Sequence, residues 1–190
     1  MQRAYFILVL LFYLNSCQNP VKFQKYEADE SRIYSIIIDE LAVHLPPPWP
    51  SSPSGFTRKE LDSIKRIKLE LVVDTVMFKT DLGFPLTETH QEYQPLVDEI
   101  STLDERAIKP GTIKSSIGHS LVYGTSLEAS SYRYPQLIKI SRISFNRDTT
   151  KAALFASHNT GRLSGVVILY LLEKKNNIWK IVYEQKVLIS

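Results

Sequence analysis

Residues 137–190 constrain the fold more than any other part of the chain. LIKISRISF alternates, with Leu137, Lys139, Ser141, Ile143 and Phe145 set against Ile138, Ile140 and Arg142. A period of two is the signature of a strand with one buried face. KAALFASH (151–158) reads as a second strand. VVILYLLE (166–173) is apolar at nearly every position and is expected at the centre of the sheet. IWKIVYEQKVLIS (178–190) is the fourth. The connections NRDTT, NTGRLSG and KKNN are short, and Asn176 and Asn177 both accept a positive φ. Four strands joined this way form an antiparallel meander. Trp179 and Ile181 share one face, opposite Lys180 and Val182, and are expected at the centre of the core.

The remaining chain supplies helices. Its 190 residues suit one domain, and 44% apolar with 23% charged residues is an ordinary globular composition. Residues 17–28 read as a polar tether. Asp29 and Glu30 then place negative charge where a helix dipole favours it, and Ile33, Ile36, Ile37 and Leu41 predict a helix over 30–44. PPPWPSSPSG stops it, because proline fixes φ and lacks a donor. That stretch reads as an extended surface connection with Trp49 packed back, or as a polyproline ligand for a partner. Thr57 and Glu60 fit a capping box, with Phe56 and Leu61 as its staple, for a helix over 58–66. Ile67, Leu69, Leu71 and Val73 predict a strand that continues through VDTVMF, and Leu96, Val97, Ile100 and Leu103 a helix after Pro95. The expected fold is α+β: one domain over 29–190, its N-terminal helices packed on one face of a curved antiparallel sheet that ends in the meander. At fold level this is similar to cystatin-like and NTF2-like cones, a likeness that implies no function.

The first seventeen residues concern location. Arg3 precedes AYFILVLLFYL, which has no charge, and Asn15, Ser16 and Cys17 follow. As a helix this run rises about 16 Å, against about 30 Å for a bilayer core, so it suits a signal peptide over 1–16 better than a span. Leu14-Asn15-Ser16-Cys17 resembles a bacterial lipobox, although Asn15 departs from its commonest pattern. The resemblance implies cleavage between Ser16 and Cys17, acylation of Cys17 with palmitate-type chains, and anchorage in the cell envelope. Gln18 is not an aspartate-type retention signal, which by the same resemblance favours the outer membrane. Cys17 is the chain's only cysteine, so no internal disulfide can form. Removing residues 1–16 takes away Arg3 and lowers the formal charge from +3 to +2, too little to argue for a nucleic-acid partner.

A second resemblance lies in the meander. Ser141, Arg142, Ile143, Phe145 and Asn146 begin it, followed by Ala153, then Gly161, Leu163 and Gly165, then Leu172, Lys174, Trp179, Ile181 and Ser190. The pattern resembles small exported bacterial lipoproteins of unknown function, with Asn177 where such sequences often carry glycine. It implies location and domain type, not chemistry.

Motifs of catalysis are weak. The four histidines form no helical i, i+4 pair, and no G-x-S-x-G or phosphate-cradling glycine loop occurs. Glu88, His90 and Glu92 would share a face if extended, as metal ligands do, but Pro85 and Pro95 point to a solvated loop. Adjacent acids (Asp39 and Glu40, Asp98 and Glu99, Asp104 and Glu105) read as solvated helix faces. Asp74 stands among apolar neighbours, where a carboxylate needs a partner, and Arg142 is a candidate for it. Asp74, Arg142 and His119 are the candidate ligand-binding side chains if a pocket opens between helix and sheet. No catalytic residue, metal or cofactor is assigned. The expected role is non-catalytic: anchorage to the bilayer through acylated Cys17 and binding of another envelope protein. A small-ligand binder is the alternative, and an envelope hydrolase is third.

Overall fold

The structure, a computed structural model, describes residues 20–42, 55–65, 67–125, 136–161 and 164–189. Ser16, Cys17, Trp49 and the run 46–54 lie outside the described residues. Helix α1 spans Pro20–Leu41, α2 Arg58–Lys65 and α3 Gln94–Ile100, the last directly after a 3-10 helix at Glu88–Tyr93. The strands are β1 (Glu70–Val73), β2 (Ser120–Tyr123), β3 (Leu137–Ile140), β4 (Ser144–Phe145), β5 (Lys151–Gly161), β6 (Ser164–Lys175) and β7 (Ile178–Ile189).

All seven strands join one sheet in the order β2-β1-β3-β5-β6-β7, with β4 also paired to β5. The class is α+β as expected, and the meander β5-β6-β7 is antiparallel. The expectation of a wholly antiparallel sheet is corrected, because β1 runs parallel to both β2 and β3. Parallel neighbours need a long crossover, and the 3-10 helix with α3 lies within the one between β1 and β2.

Both faces of the sheet are covered, the N-terminal helix α1 lying on one of them as expected. On one side α1 lays Ile33, Tyr34, Ile37, Ile38 and Leu41 over Leu154, Ala156, Tyr170 and Leu172. On the other, Tyr93, Leu96, Val97 and Ile100 cover Ala153, Phe155, Leu169 and Leu171. The near-continuous apolar run of β6 has this cause. Register matches small to large across β5 and β6, with Ala152 opposite Leu172, Ala153 opposite Leu171 and Ala156 opposite Ile168. The fully buried alanines let both helices approach closely.

The first expected strand of the meander divides in two. Ser141 N–H donates to the Phe155 carbonyl (2.9 Å), but Phe155 N–H donates to Ser141 Oγ (2.9 Å) instead of a main-chain carbonyl. The hydroxyl stands in for the backbone, so β3 stops at Ile140 and β4 restarts at Ser144. The Ser141 carbonyl is left facing Tyr34 Oη at 3.4 Å.

Strand β7 carries two bulges, since register skips between Leu171 and Leu172 and between Val167 and Ile168 of its partner. Ile181 pairs with Leu172, but Tyr183 pairs with Leu171, which leaves Val182 as the extra residue. Trp179 and Ile181 therefore pack toward α1, whereas Tyr183 and Val187 pack toward α3. Trp179 is buried as expected. Asn176 and Asn177 turn the hairpin with φ of 50° and 63°. The capping box forms, with Glu60 Oε2 accepting from Thr57 N–H at 2.7 Å and Thr57 Oγ1 from Glu60 N–H at 3.3 Å.

Candidate functional site

Helix α1 begins at Pro20, ten residues before the expected start. That shift moves Asp29 and Glu30 from a solvated helix end to a buried middle. Each acid faces a different neighbour. Asp29 accepts from Lys174 Nζ (2.6 Å) and from Trp179 Nε1 (3.0 Å), and Lys174 also lies 4.8 Å from the Trp179 ring centre. Tyr26 and Trp179 both contact the Phe145 ring. This is a clasp between α1 and the β6–β7 hairpin.

Glu30 faces a cavity of about 700 Å³ between α1 and the segment 106–113. Helix α1 contributes Glu27, Glu30, Ser31 and Tyr34 to its wall. Across from them stand Arg106, Ala107, Ile108 and Lys109, with Thr112 and Ile113 beyond and Met77 beside Tyr34. The far wall is built by backbone bonds. Met77 N–H donates to the Arg106 carbonyl (3.0 Å), and Ile108 N–H to the Thr75 carbonyl (2.8 Å). The chain then reverses at Lys109-Pro110-Gly111-Thr112. Pro110 presets its own φ, Gly111 takes a φ of 82°, and Thr112 N–H closes on the Lys109 carbonyl at 3.2 Å. Ser31 Oγ ties α1 to this turn by donating to the Thr112 carbonyl (2.8 Å).

The cavity is electrically mixed. Arg106 Nη2 donates to Glu30 Oε2 in a tight ion pair. Burial alone would lower the Arg106 pKa, but the hydrogen bond and charge of Glu30 outweigh it and raise it. The Tyr34 phenol is pushed well up by burial and then by Glu30, so it stays a neutral donor. Its hydroxyl lies 3.5 Å from Met77 Sδ, as well as near the Ser141 carbonyl.

The three candidate residues do not line this cavity. Asp74 Oδ1 accepts from Val76 N–H (3.1 Å), and Asp74 Oδ2 lies 3.5 Å from Lys139 Nζ. The expected Asp74–Arg142 pairing is thus corrected: Lys139, one strand over, is the closer cation. Arg142 instead donates from Nη1 to the Asp104 carbonyl (3.3 Å). His119 Nδ1 accepts from Leu69 N–H (3.1 Å) and holds the entry to β1. Asp74 and Arg142 act one layer back, since Asp74 orders the turn leading to Met77 and Arg142 follows the residue that meets Tyr34.

Two further readings of the sequence change. Glu88, His90 and Glu92 sit on the 3-10 helix, where His90 stacks at 4.3 Å on Tyr183 and Glu92 pairs with Lys151. Among the described residues no group of three His, Cys, Asp or Glu side chains is placed to hold a metal ion. Asp39 is a half-buried crosslink, and Glu99, exposed as expected, still reaches a neighbouring strand. Asp39 accepts from Ser115 Oγ (2.6 Å) and Ser116 N–H (2.8 Å), and Glu99 accepts from Ser144 Oγ.

Glu30 and Arg106 are the site residues that sequence reasoning missed. The signal was present: Asp29 and Glu30 lie four residues before Ile33 and Tyr34, on the same apolar stripe. No protein-family model, curated protein or solved structure matches this chain.

Proposed function

We propose that the protein is a lipid-anchored, non-catalytic component of a bacterial cell envelope, held in the outer membrane through acylated Cys17 and acting by binding another envelope protein. One observation carries the reading: the lipobox-like run ending at Cys17 stands three residues before a helix that is bonded into the body. From Cys17 to Asp29, three extended residues and nine helical ones reach about 25 Å at most. An acyl group there would hold the body close to the bilayer on a helical stalk. Two or more chains are what firm anchorage requires. Among the described residues no helix is long and apolar enough to cross a membrane. Asp74, Arg142 and His119 are each engaged by the scaffold and do not line the cavity.

Metabolic labelling with a clickable fatty acid tests the anchor. The wild-type chain is expected to carry label and sediment with membranes, and Cys17→Ala to lose both. Equal labelling of the two overturns it. Crosslinking in intact envelopes then tests for the protein partner. The cavity favours a second reading, a receptor for a small ligand, which is compatible with the same anchor.

A further inference from the structure

We propose that the cavity between α1 and the 106–113 segment binds an amphiphilic zwitterion, a small molecule with an ammonium, a carboxylate and an apolar body, such as a short apolar peptide with free termini. This rests on the small-ligand reading and gives it a ligand class.

The charges around the cavity balance. Glu27 and Glu30 stand on α1, and Arg106 and Lys109 stand opposite. A bare anion would meet both acids and a bare cation both bases, whereas a zwitterion can satisfy each sign. Glu30 is nine-tenths buried, yet among the described residues only its Oε2 receives a donor, Arg106 Nη2. A carboxylate offers about four acceptor positions, so most of its capacity is unused on the cavity side of the helix. A charged donor such as an ammonium bonds a carboxylate more strongly than a neutral donor does. Arg106 keeps 40% of its side chain exposed after pairing, and Lys109 is exposed and makes no ion pair among the described residues. These two supply donors for a carboxylate. The hydroxyls of Ser31 and Thr112 donate to main-chain carbonyls, which leaves their lone pairs for the ammonium end. Tyr34, Met77, Ile108 and Ile113 provide the apolar surface. A volume of about 700 Å³ lies within the usual range for small-molecule sites.

Isothermal titration calorimetry of the full chain with three probes tests this. Leucyl-leucine is expected to bind. N-acetyl-leucyl-leucine, lacking the ammonium, and leucyl-leucinamide, lacking the carboxylate, are each expected to bind about tenfold more weakly. Glu27→Gln and Lys109→Met alter exposed side chains and leave the fold intact, and each is expected to weaken leucyl-leucine about tenfold. Ala107→Trp, also at an exposed position, fills the cavity and abolishes binding. Equal binding of free and blocked peptides overturns the zwitterion and leaves the ligand cavity standing. No binding of any probe at about 1 mM, or full binding by Ala107→Trp, overturns both.

Discussion

Asp29 shows how one residue decides the behaviour of a helix. Its carboxylate is buried against Lys174 and Trp179, so removing it strands an ammonium and an indole N–H in a dry environment. Asp29→Ala is expected to cost about 3–5 kcal/mol in urea unfolding, the range for breaking a buried pair. The double variant Asp29→Leu/Lys174→Met should cost less than either single one, because no charge then remains uncompensated. His158 is a second buried polar residue, and among the described residues its Nε2 has no hydrogen-bond partner. Burial lowers its pKa from 6.5, so below that pH the unfolded chain binds the proton first. Stability should therefore fall as pH drops through 6.5, and His158→Leu should flatten that limb in melts across the pH range. The role of His158 left no mark in the local sequence, and that of Asp29 only its place on the apolar stripe with Ile33. Asp29 beside Glu30 matches a helix start, and nothing nearby reveals that the helix began ten residues earlier. Pro20 was the available clue, a favoured first helical residue.

At the scale of elements, the bulge at Val182 assigns β7 to two layers. Deleting Val182 would remove the bulge and leave Tyr183 directly after Ile181, opposite Leu171 and still on the α3 side, so its cost in urea unfolding should stay below the roughly 2–5 kcal/mol of emptying a core position. Val182→Ala, at an exposed side chain, should stay within about 0.5 kcal/mol of wild type. The alanines of β5 predict the opposite fault. Ala156→Leu beneath α1 should cost about 1–3 kcal/mol by overpacking. Strand identity in β5, β6 and β7 was legible because period and turn residues are local. The bulges were not, because the apolar runs Ile181–Tyr183 and Val187–Ile189 do not by themselves say which residue is extra, and only the register on β6 does.

For the whole molecule, the meander was readable and the parallel edge was not. Antiparallel neighbours are joined by short turns whose residues announce them, such as Asn176 and Asn177. The β1–β2 pairing spans residues 74–119 and leaves no local mark. The same contrast predicts dynamics. The β5 and β6 amides sit between two covered faces and should exchange slowest in native-state hydrogen exchange, while α2, which joins neither main core cluster, should exchange early. The clasp also sets an order of events. Asp29 leaves the ribosome long before its mates, which lie 145 and 150 positions later. Until the β6–β7 hairpin emerges, that carboxylate lacks Lys174 and Trp179, and α1 lacks the part of its floor that Tyr170 and Leu172 supply. A nascent chain of this design keeps its first helix pliable until the β6–β7 hairpin has followed it out, and the two lock together only then.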